Sequence, residues 1–191
     1  MRIVGGRCHA AAMPDAPKVY SPVWADDTRT PTDPLGDERT ALTGFLDYHR
    51  KTFELKCSGL TPQQMSERAV PPSSMSLHGL VRHLAGVERW WFRQNFAGED
   101  VPILFYSDDD PGQDFDDLEG NVHDVFALWR DECERARQIV ASSSLDDLAA
   151  HEGRRGPLKL RWVLLNMITE YARHNGHADL VRERIDGATG F

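Results

Sequence analysis

Four stretches of this chain repeat apolar residues every three or four positions, and no stretch of comparable length alternates with the period of two that a strand requires. That pattern commits the chain to helices packed on one another, so the expected class is all-α. In the first stretch, beginning at Asp37, Leu42, Phe45, Leu46, His49 and Phe53 share a helical face and Gly59 stops the run. A short helix start follows at Leu60-Thr61-Pro62, with Thr61 as N-cap and Pro62 in the first helical position; Pro71 and Pro72 close that segment. Ser76 can cap a second long helix, expected to end near Gly98, whose inner seam reads Leu80, His83, Val87, Trp90, Gln94. Residues Val101 to Gly112 read as an apolar loop ending in an acidic turn. A third helix is marked by Leu118, Val122, Val125, Phe126, Trp129, Cys133, Ala136 and Val140. The last runs from about Leu160 to Asp186, with Gly187 at its stop. Four long helices with modest connectors make a four-helix bundle the economical architecture.

The 191 residues suffice for one domain with its own core. Residues 1–36 hold five of the eleven prolines and no sustained period, which predicts an extended N-terminal arm before a bundle of residues 37–191; Met13 is an alternative start, and Val23 and Trp24 can anchor the arm. A formal charge of −8 speaks against nucleic acid, whose phosphates demand a basic face. No apolar run nears the length of a membrane span and no signal-peptide core follows the N-terminus, so the expected location is cytoplasmic and no membrane partner is expected. Cys8, Cys57 and Cys133 are odd in number and far apart, as free thiols are.

The last helix carries the chemistry. Its seam reads Val163, Met167, Glu170, His174, His177, Val181, so a carboxylate and two imidazoles occupy an arc of about 60° on the face that should be buried. Burying these groups without partners costs several kcal/mol, comparable with the net stability of a whole domain. A divalent cation compensates directly, because neutral imidazole and ionised carboxylate are its ligands. His83, central in the second helix, is placed to complete the set across the core. Taken singly, a core histidine is more often hydrogen-bonded than metal-bound; the four together favour a metal. Zinc leads, and nickel, iron or manganese also suit the donors. His49, on the inner face of the first helix, suits a proton-shuttling partner better than a ligand. His78 lies about 140° around the helix from His83 and is expected to face elsewhere. His9, His123 and His151 default to the surface. Trp90 and Trp91 suit core packing first and a substrate wall second.

The segments Leu77-His78-Gly79-Leu80-Val81-Arg82-His83-Leu84 and Glu88-Arg89-Trp90-Trp91, with Glu170-Tyr171-Ala172-Arg173-His174-Asn175-Gly176-His177-Ala178-Asp179, resemble the DinB-like superfamily, in its mini-circle-protein and mycothiol S-transferase branch. The resemblance covers about Asp37 to Gly187. It implies an up-down-down-up bundle with three metal ligands, mapping to His83, Glu170 and His174. Glu170 replaces the histidine of many members, although maleylpyruvate isomerases of the superfamily carry glutamate there. His177 stands where glutamine is common, and both a fourth-ligand and an acid/base role stay open. The implied activity is conjugation of a low-molecular-weight thiol, mycothiol, to a small electrophile, in which coordination to the metal deprotonates the thiol. The eighteen arginines against four lysines, a bias typical of GC-rich coding, agree with mycothiol as co-substrate. On this reading the electrophile enters beside Trp90 and His177 or His49 manages protons. The rivals are a maleylpyruvate-type isomerase, with Arg173 and Arg82 holding carboxylates, and a non-catalytic metal-binding stress protein. Monomer and homodimer both remain open, the 101–106 loop and the arm being the candidate contacts.

Overall fold

The computed structural model describes residue 27 and residues 29–189, except 108, 111, 117, 119, 154 and 155. Met13, Val23, Trp24, Cys8 and His9 lie outside the described residues, as does most of the expected arm. The described chain is all-helical: α1 (Glu38–Cys57), α2 (Pro62–Met65), α3 (Leu77–Glu88), a π-helical continuation of α3 (Arg89–Phe96), α4 (Gln113–Asp116), α5 (Val122–Ser142) and α6 (Leu160–Asp186). Among the described residues the only β pairing is a pair of isolated bridges, Leu148 with Lys159 and Gly153 with Gly156. Among the described residues no helix is long and apolar enough to cross a membrane.

The helix starts follow local chemistry. Asp37 accepts the Thr40 amide at 2.8 Å and Ser76 accepts that of Gly79 at 3.0 Å, each cap contributing about 1 kcal/mol. Thr61 and Gln64 form a reciprocal capping box with Pro62 in the first turn. Gly187 ends α6 at φ +75°, a left-handed stop that a side chain would strain.

Side-chain contacts fix the helix directions. Arg161 at the head of α6 lies 3.6 Å from Glu38 at the head of α1, and Arg182 near its tail donates to the Lys56 and Ser58 carbonyls, so α1 and α6 run in parallel. Buried Arg182 thereby satisfies carbonyls at the end of α1, where a cation also suits the helix dipole. Arg39 donates to the carbonyls of Val140 and Ser143, whereas Arg130 reaches Glu54, so α5 runs against α1. His83 meets His174 while Trp91 meets Trp162, so α3 and its continuation run against α6. Phe53, Leu80, Leu84, Phe92, Trp129, Leu164, Met167 and Tyr171 fill the space between them.

Several expectations need correction. The second helix does not keep an α-helical seam through Val87, Trp90 and Gln94. Beyond Glu88 it winds as a π-helix, and the wider turn brings Phe92, Asn95 and Phe96 inside while Trp90 is left 40% exposed. Phe45, at 47%, also faces outward. The third helix begins at Val122, capped by Asn121, rather than at Leu118. The stretch expected as loop and turn is followed by α4, one turn of helix that covers α3. His78 points away from His83, but into the protein: it is buried, with Ser66 Oγ 3.0 Å from its Nδ1.

Candidate metal centre

His83 on α3 and Glu170 and His174 on α6 each bring a ligand atom within 4.8 Å of the others. Glu170 Oε1 stands 3.4 Å from His83 Nε2 and 3.2 Å from His174 Nε2. Ligands about 2.0–2.1 Å from a tetrahedral ion are separated by roughly 3.3 Å, and the two pairs that Glu170 makes have that spacing. Both imidazoles present the same nitrogen to the same carboxylate oxygen, the chemistry of a donor set aimed at one point. The residues fit a divalent metal.

Local structure explains the convergence. Glu170 and His174 are one helical turn apart on α6 and therefore share a face. His83 is presented by α3, which crosses α6 in the opposite sense, and its ring packs 4.6 Å from that of His174. The far nitrogen, His83 Nδ1, donates to Asp114 Oδ2 at 2.7 Å. Asp114 is buried on α4, and Gly79 lets α4 come this close: a Cβ there would meet Phe115 Cα at 3.3 Å and the Asp114 carbonyl at 3.4 Å. Phe115 in turn packs its ring 5.2 Å from the His83 imidazole. A carboxylate on the distal nitrogen fixes the tautomer that leaves Nε2 free to bind a metal.

His177 does not join the three. Its Nδ1 lies 3.3 Å from His174 Nδ1, on the far side of that ring from Glu170. With His174 Nε2 as ligand, Nδ1 carries the proton and donates to His177, which orients the His174 ring from behind. Arg173 is 57% exposed along its side chain and pairs with the other Glu170 oxygen, Oε2, at 3.1 Å. His49 accepts the Asn175 side-chain amide at its backbone carbonyl (3.1 Å), and its Nδ1 lies 3.4 Å from the same amide nitrogen. It therefore neighbours the residue after His174 rather than the ligand atoms. Trp90 stands with Trp91 and Trp162 around a groove elsewhere; Trp162 precedes Glu170 by eight residues, about 12 Å along α6. Arg82 is buried, its guanidinium 4.4 Å from the Phe105 ring centroid. His123 and His151 are on the surface.

Without an ion, protons take its place. Burial pushes the His83 pKa down, but hydrogen bonds to Asp114 and Glu170, and their charges, override it and raise the value to about 9. Hydrogen bonds from His174 and His83 hold the Glu170 carboxyl well below the usual range against the opposing effect of burial. His177 is pushed down by burial and by His174 and Arg173 beside it, which keeps it neutral at pH 7. Cys57 and Cys133 are free but buried, and burial pushes both thiols far up, so neither supplies a thiolate.

Asp114 is the contributor that sequence reasoning missed. Gly79 within an apolar helix hints at a close approach, but nothing local says that an aspartate 35 positions later makes it. A family model described as Mycothiol-S-transferase matches residues 41–187. No curated protein matches the chain.

Proposed function

This chain belongs to the mycothiol-S-transferase family, and from that premise we propose that it is a metal-dependent thiol S-transferase that joins mycothiol to small electrophiles, a detoxifying reaction in the cytoplasm. The observation that carries the proposal is the meeting of three metal-ligating side chains from two helices, with ligand atoms all within 4.8 Å of one another. The helix directions support an up-down-down-up four-helix bundle, with the site between its second and fourth long helices.

His83, Glu170 and His174 would hold the ion, with zinc the leading choice. Bound there, a divalent metal supplies a Lewis-acidic position at which a thiol loses its proton near neutral pH. The protein's own groups do the rest. Asp114 keeps His83 Nε2 pointed inward, His177 keeps His174 Nε2 pointed inward, and Arg173 holds the second Glu170 oxygen away from the donors. His177, half-buried and in contact with His174, is the group to which proton uptake is assigned. A buried structural zinc site is closed by four protein ligands. Here His177 faces the back of His174, which supports an open position and a reactive role over a purely stabilising one. An isomerase acting on dicarboxylic acids would need guanidinium groups inside the site, whereas Arg82 stacks on Phe105 and Arg173 is 57% exposed along its side chain.

The test is conjugation of monochlorobimane by zinc-loaded protein, with and without mycothiol. Mycothiol-dependent turnover that disappears in His83→Ala and His174→Ala is the expected result. Metal-loaded protein that accelerates the reaction no more than the free metal does would defeat the proposal.

A further inference from the structure

The face of α3 that points away from the core is covered by chain that follows its π-helical continuation. Gly79, Arg82, His83 and Gly86 stand at i, i+3, i+4 and i+7 and form one stripe, opposite buried Leu77, Leu84 and Glu88. Two short stretches, 104–106 and 113–115, lie across that stripe. At one end Asp114 and Phe115 pack on Gly79. At the other the Leu104 carbonyl and the Tyr106 ring pack on Gly86, where an added Cβ would meet them at 3.2 and 3.4 Å. Between the two glycines the Arg82 guanidinium lies 4.4 Å from the Phe105 ring centroid, and its Nη2 donates to the Gln113 carbonyl at 3.4 Å. Arg82 thus ties the two stretches to each other.

His83 is held from both sides. Its ring lies between Phe115, 5.2 Å away, and His174, 4.6 Å away, with Asp114 on its Nδ1. Phe105 has φ +61° and is, among the described residues, the one non-glycine in the left-handed region. A bulky residue rests there only where its surroundings hold it. The conformation of 104–106 therefore depends on its seat on α3 rather than on local preference.

We propose that the two stretches form one strap whose seating on α3 is coupled to occupancy of the metal centre. The seated strap sets His83 for coordination, and a bound ion holds the strap down. The inference rests on the metal reading of His83, Glu170 and His174. Such coupling is reciprocal: whatever unseats 104–106 weakens metal binding by the factor with which metal binding tightens 104–106. Gly86 and Phe105 are thereby positioning residues that act on the metal through Arg82, Asp114 and His83.

The experiment uses full-length protein, metal-free and zinc-loaded. Zinc affinity is read by competition with a chromophoric chelator. Seating of 104–106 is read by the rate of chymotryptic cleavage after Phe105 and Tyr106, located by mass spectrometry, because cleavage requires local opening. Gly86→Leu puts a side chain under the Leu104 carbonyl and Phe105→Ala removes the stack on Arg82; each should weaken zinc at least about fivefold. Gly44→Leu on α1, where a Cβ meets nothing within 4 Å, should leave the affinity unchanged. Zinc should slow cleavage at the two sites at least about fivefold in the unaltered chain, and Asp114→Asn at equal zinc saturation should lose that protection. Unchanged zinc affinity in Gly86→Leu and Phe105→Ala, or cleavage indifferent to zinc, overturns the coupling and leaves the metal reading standing. Protection that persists in Asp114→Asn would trace it to general stabilisation and overturn the coupling too. Absence of zinc binding by the unaltered protein defeats the metal reading and the coupling with it. If Gly86→Leu fails to fold, Phe105→Ala and the cleavage rates of the unaltered chain still decide.

Discussion

Two polar clusters join α3 to α6, and they are built on opposite principles. In the first, Glu88 is fully buried and both its oxygens are taken: Arg50 donates to them at 2.8 and 2.7 Å, Tyr171 donates its hydroxyl to Oε1 at 2.7 Å, and Cys133 lies 3.6 Å from Oε1. Trp129 Nε1 closes the knot by donating to the Tyr171 hydroxyl at 2.8 Å. Every charge there meets its opposite. In the second, five residues away along α3, His83, Glu170 and His174 bring their ligand atoms together and bring no cation of their own unless an imidazole is protonated. A closed knot holds helices in register, whereas an open one has a place for something else. The difference teaches that burial of charge is not by itself a functional sign; the orientation of lone pairs is.

That contrast can be broken at the knot first. Glu88→Ala strands the Arg50 guanidinium in the core, and a loss of about 3–5 kcal/mol in unfolding free energy is expected from urea denaturation. His83→Ala also destabilises the metal-free protein, since it strands the buried Asp114 carboxylate, but zinc at one hundred times its dissociation constant should stabilise the unaltered chain by about 2.7 kcal/mol and leave His83→Ala unmoved. A His83→Ala variant stabilised by zinc as much as the unaltered chain would erase the distinction.

Asp114→Asn sharpens it, since the amide still fills the space beside His83 Nδ1 but lacks the carboxylate charge. A 10–100-fold weaker zinc affinity is expected, read by competition with a chromophoric chelator.

The pH response of metal-free protein follows from the second cluster. A folded pKa of about 9 for His83, above an unfolded value near 6.5, gives stability that is complete below about pH 6.5 and lost as pH rises through 9. The depressed Glu170 carboxyl gives stability that is present above its unfolded value, near 4.5, and lost in stronger acid. Denaturant midpoints should therefore peak between about pH 4.5 and 6.5, and His83→Gln should flatten the alkaline side. The smallest effect belongs to Arg173→Ala: the pair with Glu170 is largely solvated, and a change below about 1 kcal/mol in thermal or denaturant unfolding is expected.

How much of this could be read from the chain depends on distance in sequence. The starts of the capped helices were legible at Asp37, Thr61-Pro62 and Ser76, because a cap bonds to amides two or three residues ahead. Glu170 and His174 were legible as one face for the same local reason. Trp90 misled: an α-helical period carried past Glu88 assigns it to the interior, and the switch to π winding has no signature in the apolar pattern. Tyr171 was overlooked beside Glu170, although it and Glu88 form the centre of the core knot.

The amino-acid order alone determined that this protein is helical, where most of its helices begin, and that a carboxylate and imidazoles share one helical stripe, since each follows from bonds and angles within one or two helical turns. Only the tertiary structure decided that Asp114 backs His83, that His177 stands behind His174, and that three tryptophans line one groove. Those meetings join residues tens of positions apart, and their geometry is set by how helices cross and how closely they approach.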